Sequence, residues 1–325
     1  MILSVVTPTR DKRPLLERTL AALRAQQLPA DVPWEIVVVD DGSTDDTGAW
    51  LARQSAATGP PLHVVSPPAN VGRARARNLG AAAARGQWLL FLDDDIVAPP
   101  GLLAAHLDLL RRHPGDGAIG FAVTAPELVD GPHLRYLDTR GVAKLPPGPA
   151  PARYFVTQNA SVPRAAFQAV GGFDEAFHAY GFEDMEVAFR LEDQAQVRFH
   201  CLPAPVPVHV HHHTLDQLLA KRRECGHGSL QQLAARHPGR LREMSVHHVL
   251  DGVGQAPPAA STRLLRAVLD AGLAASLPAL LRRWPLGTGV LPPGFALYTR
   301  LMNLAVLAAY RQGVREYDLE AANES

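Results

Sequence analysis

The chain has 325 residues, enough for one large α/β domain with an appendage or for two modest domains, and either would bury a sizeable core. Lys+Arg and Asp+Glu both total 32, so no global field directs it to nucleic acid and charge arguments must be local. Cys201 and Cys225 fit no zinc or redox spacing, and no run of about 18 apolar residues offers a membrane span, so a soluble or peripheral cytoplasmic protein is expected.

In chain order, four short apolar runs alternate with helical stretches: Ile2 to Val6, Glu35 to Val39, His63 to Ser66 and Trp88 to Leu92. The first reads as a buried strand rather than a signal peptide, because no basic segment and long apolar stretch open the chain. Pro14 to Gln27 carries leucines at helical spacing, and Ala74 to Ala84 is an alanine-rich helix closed by Gly86. Strands apolar on both faces and separated by helices predict a mostly parallel α/β sheet covered on both sides. Residues 126 to 153, rich in Pro and Gly, read as a loop, mobile without ligand. Glu183 to Glu192 reads as a helix and Pro203 to His213 as an extended strand with Val and His alternating. Two apolar helices, Arg263 to Trp284 and Phe295 to Tyr317, separated by Pro285 to Gly294, form a basic C-terminal hairpin. The expected division is 1–125, 126–255 and 256–325.

Ligands of parallel sheets sit beyond the carboxyl ends of the strands. Thr7-Pro8-Thr9-Arg10 follows the first strand, Asp40-Asp41 the second and Asp93-Asp94-Asp95 the fourth, so all three polar clusters share one edge. Adjacent carboxylates repel unless a cation or a hydrogen-bonded turn absorbs the charge. An extended Asp93-Asp95 segment offers those two to a hard divalent ion, with Asp94 turned away; the plainer reading is an Asx-turn. Asp40-Asp41 could accept the imide N–H of uracil or ribose hydroxyls, or belong to a helix start. After Asn70, Arg73 and Arg77 stand one helical turn apart and could both face a diphosphate, with Asn78 reaching back toward the sheet edge. Lysine occurs only at Lys12, Lys144 and Lys221, an arginine bias that weakens the case for any one arginine.

The order of these pieces resembles the family 2 glycosyltransferases, inverting enzymes of the GT-A fold. The resembling segments are Val5-Val-Thr-Pro-Thr9, Val38 to Asp45, Asn70-Val-Gly72 with Ala76 to Gly80, Leu90 to Asp95, Gln158-Asn159-Ala-Ser161 with Arg164, Gly171 to Glu175, and Glu183-Asp184 before Arg190-Leu191. The resemblance implies a Rossmann-like sheet, a nucleotide diphosphate sugar donor with UDP favoured, and Mg²⁺ or Mn²⁺ at Asp93 and Asp95. It also implies nucleoside contacts at Thr7, Thr9, Asp40 and Asp41, and a catalytic base at Asp184. Donor specificity is expected around Gln158 and Asn159. An inverting displacement needs one carboxylate to deprotonate the acceptor hydroxyl, and Glu183 beside Asp184 could bind acceptor or raise its pKa.

In an extended strand His209, His211 and His213 share a face opposed by His212, and His209 or His211 could join Asp95 as metal ligand. A transition-metal site built from these histidines is the competing reading. The acceptor is expected to be a saccharide, a lipid-linked or a small molecule, and residues 261–315 to mediate homodimerisation or peripheral contact with the inner face of the membrane. The rival functions are a sugar-nucleotide-binding subunit without turnover and a nucleotidyltransferase. No Gly-rich triphosphate loop follows the first strand to support the latter.

Overall fold

The computed structural model describes residues 2–54, 59–129, 131–211, 213–250, 259–272, 275–284 and 292–324. The chain forms two compact units, one comprising Met1–Leu128, Asp138–Ala176 and Glu183–His211, the other Val129–Leu137, Phe177–Phe182 and His212–Ser325. The expected boundary at 255/256, most of the link between the terminal helices, and His212 lie outside the described residues.

The first unit begins β1 (Leu3–Thr9), α1 (Arg13–Arg24), β2 (Trp34–Asp40), α2 (Thr47–Gln54), β3 (Leu62–Val65), α3 (Arg73–Ala83) and β4 (Trp88–Leu92). It continues through β5 (Ile96–Val97), α4 (Leu102–Arg112), β6 (Gly117–Ile119) and β7 (Val123–Thr124). After α5 (Pro132–Asp138), nearly all of which belongs to the second unit, come β8 (Gly148–Ala150), β9 (Asn159–Pro163), α6 (Arg164–Ala169), α7 (Glu183–Ala195), β10 (Phe199–Cys201) and β11 (Val208–His209). Eight strands form one sheet in the order β3-β2-β1-β4-β9-β6-β10-β8, and β5-β11-β7 form a second. The β3-β2-β1-β4 half is parallel throughout, whereas β9 runs against both β4 and β6.

The apolar runs of β1, β2 and β4 become inner strands because both faces are covered, while β3 is a half-buried edge. Leu3, Val5, Ile36, Val38, Leu90 and Leu92 pack with Leu16, Leu20 and Leu23 of α1 and with Leu103, Leu107 and Leu110 of α4. On the alternate positions, Phe91 meets Phe167 and Phe173 with ring centroids 5.3 Å apart. Burying each large side chain contributes about 1.5–3 kcal/mol, and this core fixes the sheet edge on which the polar clusters stand.

Three expectations are corrected. Residues 126–153 are not a loop: they contain 3-10 turns at Pro126–Leu128, Gly141–Lys144 and Ala152–Tyr154, the helix α5, and the edge strand β8. Leu134, Tyr136, Val142 and Ala150 are buried and anchor these short pieces, none of which is long enough to show a period in sequence. Among the described residues of Pro203 to His213 the ladder is confined to Val208–His209, and ahead of it Pro203, Pro205 and Pro207 have no N–H to donate. The run from Arg263 to Trp284 is two helices, α10 (Ala260–Asp270) and α11 (Leu277–Arg282), with Pro278 in the first turn of the latter.

The second unit also contains α8 (Leu215–His227), α9 (Ser229–Arg236) and the 33-residue α12 (Pro292–Glu324). Helices α8 and α12 cross so closely that a Cβ at Gly226 or Gly313 would lie about 2 Å from the facing carbonyl oxygen of Tyr310 or Arg223. Arg311 closes the unit, bonding both oxygens of Asp270 at 2.8 and 2.9 Å and the Val249 carbonyl at 3.0 Å. Among the described residues no helix is long and apolar enough to cross a membrane.

Candidate active site

Parallel pairing brings the three polar clusters to one edge. Thr9 is in register with Asp40, the Asp41 N–H donates to the Thr9 carbonyl at 2.9 Å, and the Thr9 hydroxyl donates to Asp94 Oδ2 at 2.7 Å. Lys12, held at the start of α1, places its ammonium between Asp94 Oδ1 (2.9 Å) and Asp95 Oδ2 (3.0 Å). The Asp11 carboxylate receives the N–H groups of Thr44 and Asp45, tying the loops after β1 and β2 together. Asp41 receives Val71 N–H at 2.7 Å and Gly72 N–H at 3.2 Å, Asp40 receives Ser43 N–H, and the Asn70 side chain receives Gly72 N–H. Thr7 Oγ1 is buried at the same edge without a hydrogen-bond partner among the described residues, Pro8 is half-buried, and Arg10 is exposed beside Asp11.

The Asp93-Asp94-Asp95 run divides three ways. Asp94 is buried on Thr9 and Lys12, and burial pushes its carboxyl up to about 6 against the pull of Lys12. Asp95 is also buried, and although burial opposes ionisation, His209 and Lys12 outweigh it and hold the carboxyl well below its usual range. The β5–β11 register sets His209 opposite Ile96, which puts His209 Nε2 3.1 Å from Asp95 Oδ1. The two form an ion pair, and Oδ1 is buried with no hydrogen-bond partner among the described residues. Two potential ligand atoms this close suit a shared divalent cation. Mg²⁺ and Mn²⁺ commonly use one or two protein ligands and take the rest from phosphate and water.

Asp93 turns instead to Arg77, whose Nη2 donates to Asp93 Oδ1 at 3.1 Å. Arg77 Nη1 donates to Glu183 Oε1 at 3.2 Å and lies 3.9 Å from Asp184 Oδ1. One guanidinium, only 5% exposed, thus joins the end of β4 to the start of α7. Thr157 fixes the base candidate: its N–H donates to Asp184 Oδ2 at 3.1 Å and its hydroxyl to Oδ1 at 3.0 Å. Burial and the neighbouring Glu183 charge push the Asp184 carboxyl up to about 7, against Arg77 and Thr157, which favour the anion.

Several expected contacts go elsewhere. Arg77 does not share a diphosphate-facing surface with Arg73: Arg73 is exposed, and Arg77 is drawn inward by three carboxylates. Asn78 serves the 171–175 loop rather than the sheet edge, donating to Phe173 O and Glu175 and accepting from Phe173 N–H. The Asn159 amide lies in the core, where Oδ1 meets His106 Nε2 at 2.9 Å and Nδ2 donates to Phe121 O, while Gln158 is half-buried. Asp94, expected to turn away, is the most fully engaged of its run. The four expected metal ligands do not gather: Asp95 and His209 meet, Asp93 is on Arg77, and the His211 ring is 6.4 Å from that of His209. Lys12 and Thr157 were missed. The signal for Lys12 was a lysine directly after a strand-end polar cluster in a chain that otherwise uses arginine; Thr157 offered none.

The match of residues 4–171 to the family model described as glycosyl transferase family 2, just over half the chain, decides the family. The chain belongs to glycosyl transferase family 2. Residues 145–213 of this family 2 chain also match a model described as the N-terminal domain of galactosyltransferase. A validoxylamine A glucosyltransferase of Streptomyces hygroscopicus subsp. limoneus is 34% identical over 220 residues, 58% of this chain and 48% of that protein. A pre-mycofactocin glycosyltransferase of Mycobacterium tuberculosis (strain CDC 1551 / Oshkosh) is 31% identical over 262 residues, 75% of this chain and 50% of that protein. The chain spans about half the length of these curated relatives. Among solved structures, the mannosyltransferase PcManGT from Pyrobaculum calidifontis, in complex with GDP-Man and Mn²⁺, aligns with a TM-score of 0.60 at 22% identity, covering 95% of this chain and 86% of that one. S. aureus TarS 1-349 in complex with UDP aligns with a TM-score of 0.54 at 17% identity, covering 97% and 92%. The architecture of this family 2 member is therefore of the GT-A type.

Proposed function

We propose that this protein transfers a sugar from a nucleotide diphosphate sugar, with UDP the favoured nucleotide, to an acceptor hydroxyl with inversion at the anomeric carbon. The observation that carries the reading is Asp184. It is a carboxylate oriented by two hydrogen bonds from Thr157, its pKa raised to about 7, and joined through Arg77 to Asp93 at the end of β4. The names of the relatives, a glucosyltransferase and a mannosyltransferase bound to GDP-Man and Mn²⁺ among them, support the same reaction class.

Asp184 takes the proton of the acceptor hydroxyl as that oxygen bonds to the anomeric carbon. The bond from the anomeric carbon to the donor diphosphate breaks on the opposite face, and the nucleoside diphosphate leaves with the electron pair. A base with a pKa near the working pH is half ionised there and still strong enough to accept a proton. Thr157 holds both carboxylate oxygens so that the reacting lone pair has a fixed direction. Arg77 keeps Asp93, Glu183 and Asp184 together without quenching the base, because its charge is shared among three carboxylates. The sheet-edge clusters at Thr7–Thr9, Asp40–Asp41 and Asn70 form the nucleoside side of the site.

Asp95 and His209 are the residues that fit a divalent cation, Mg²⁺ or Mn²⁺, which when bound would supply positive charge against the developing charge of the diphosphate. Lys12, between Asp94 and Asp95, keeps that corner electrically balanced. The acceptor is a saccharide, lipid-linked or small-molecule hydroxyl, and residues 261–315 are the surface for a second copy or for peripheral membrane contact. Thermal-shift titration with a set of nucleotide sugars, with and without Mn²⁺, tests the donor reading. A donor of this class should raise Tm in a metal-dependent way; no stabilisation by any nucleotide diphosphate sugar would remove the proposal.

A further inference from the structure

The opposite edge of the large sheet carries a second group of metal-ligand side chains. Strand β6 is antiparallel to β9 and β9 antiparallel to β4, so β6 runs with β4. Asp93 follows the carboxyl end of β4, whereas Asp116 precedes the amino end of β6, which places Asp116 on the far edge. There His113, Asp116 and His200 bring one ligating atom each within 4.8 Å of one another, the one such trio of His, Cys, Asp or Glu among the described residues.

The scaffold under this trio is rigid. His113 caps the C-terminus of α4, and the segment His113-Pro114-Gly115-Asp116 is a tight turn closed by Asp116 N–H donating to His113 O at 3.1 Å. Gly115 has φ of 90°, a left-handed conformation that other side chains rarely adopt, and Pro114 fixes its own φ, so the i and i+3 ligands have a set separation. The third ligand comes from the neighbouring strand: Gly117 N–H donates to Arg198 O at 2.8 Å, and β6 and β10 pair with His200 opposite Ala118.

The side chains are those of a borderline-soft cation. His200 Nε2 is 2.8 Å from Asp116 Oδ2, and the rings of His113 and His200 stack with centroids 3.9 Å apart. A packed histidine hydrogen-bonded to an aspartate accounts for His200. His113 stacks on that ring at an interplanar angle of 21° and offers the further ring nitrogen of the trio. Tetrahedral zinc with ligands at about 2.0–2.1 Å needs ligand atoms roughly 3.3 Å apart, so the two half-buried histidines must turn out of their stack for both in-plane lone pairs to meet one ion. The competing cation, the Arg198 guanidinium 3.5 Å from Asp116, is 81% exposed and free to swing into solvent.

We propose that His113, Asp116 and His200 form a binding site for Zn²⁺ or a similar transition metal, with water in the fourth position. The site pins the turn after α4 to strand β10. Two imidazoles and one carboxylate select this class of metal over Mg²⁺ or Mn²⁺, so the site is chemically as well as spatially separate from the sugar-transfer edge. Metal binding there would tie together two chain segments more than 80 residues apart in sequence.

The test is Co²⁺ titration of the tag-free chain, followed by its d–d absorption, with Zn²⁺ displacement and Zn²⁺-dependent Tm. Wild type, His113→Gln, His200→Gln and the double variant Asp95→Asn/His209→Gln would be compared, each checked for native circular dichroism without metal. One four-coordinate Co²⁺ per chain is expected, displaced by Zn²⁺, kept in Asp95→Asn/His209→Gln and weakened at least about 10-fold in both single variants. His113→Gln decides the matter if His200→Gln does not fold, because no hydrogen bond of the His113 ring occurs among the described residues. Binding unchanged in His113→Gln, binding lost only in Asp95→Asn/His209→Gln, or no binding by wild type overturns the proposal.

Discussion

Asp184→Asn should make the protein inactive and, above neutral pH, more stable. In the folded chain the Asp184 carboxyl titrates at about 7 instead of 3.8. Ionising it in the native state therefore costs about 1.4 kcal/mol for each pH unit between those values, roughly 4 kcal/mol by pH 8. That figure already includes the attraction of Arg77. Because the folded-state pKa is raised, the stability linked to this proton is fully present below about pH 4 and lost as pH rises to 7. Asparagine matches the protonated acid in shape, accepts from Thr157 N–H and has no charge to bury. The variant and wild type should melt together near pH 4 and below, with the gap opening steadily above it. The variant should be the more stable by up to roughly 4 kcal/mol at pH 8, a Tm gap of about 5–10 °C. Sugar transfer should fall by about 10²–10⁴ while donor affinity stays within a few-fold. Differential scanning fluorimetry at pH 4.5, 6, 7 and 8 reads the first effect and a coupled nucleoside diphosphate assay the second. A Tm difference that does not change with pH, or a variant less stable than wild type at pH 8, would refute the reasoning about this carboxylate.

Arg77→Met leaves Asp93, Glu183 and Asp184 facing one another without a cation, so unfolding should become easier by about 3–5 kcal/mol, measured by urea denaturation; a loss under about 1 kcal/mol would show that other groups absorb the charge. Thr157→Val keeps the N–H bond to Asp184 but removes the hydroxyl bond that favours the anion. The acidic limb of the transfer profile should move up by about one pH unit, and an unmoved limb would mean that Asp184 is not the titrating group. Asp95→Asn and His209→Gln should each weaken Mn²⁺-dependent donor binding at least about 10-fold by calorimetry, with metal-free nucleotide binding little changed; equal loss with and without metal would point to a structural role instead.

The fold was legible where burial leaves a simple pattern. Strands β1, β2 and β4 are largely apolar on both faces, and each ends in or runs directly into hydroxyl or carboxylate residues, so sequence showed both the sheet and the edge that carries the polar clusters. It failed where structure depends on distant partners. The pieces of 126–153 are too short to display a period and are set by single buried side chains such as Val142. The alternation of Val and His after Pro203 looks like a strand, but three prolines confine the ladder to Val208–His209 among the described residues. Polar residues were placed on the correct edge more readily than they were given partners. Asn78 and Asn159 lie inside matching motifs, yet their amides bond to Phe173, Glu175, His106 and Phe121, contacts that span up to 97 positions in sequence. The Asp95–His209 pair depends on the β5–β11 register, which joins residues 96 and 209 and has no local signature.

The most direct measurement of the central claim is release of nucleoside diphosphate from a panel of nucleotide sugars with Mn²⁺, with wild type and Asp184→Asn assayed side by side. The account predicts that wild type cleaves at least one nucleotide diphosphate sugar and does so faster with an acceptor alcohol present, while Asp184→Asn binds the same donor and releases almost nothing. Equal turnover by the two proteins would contradict it.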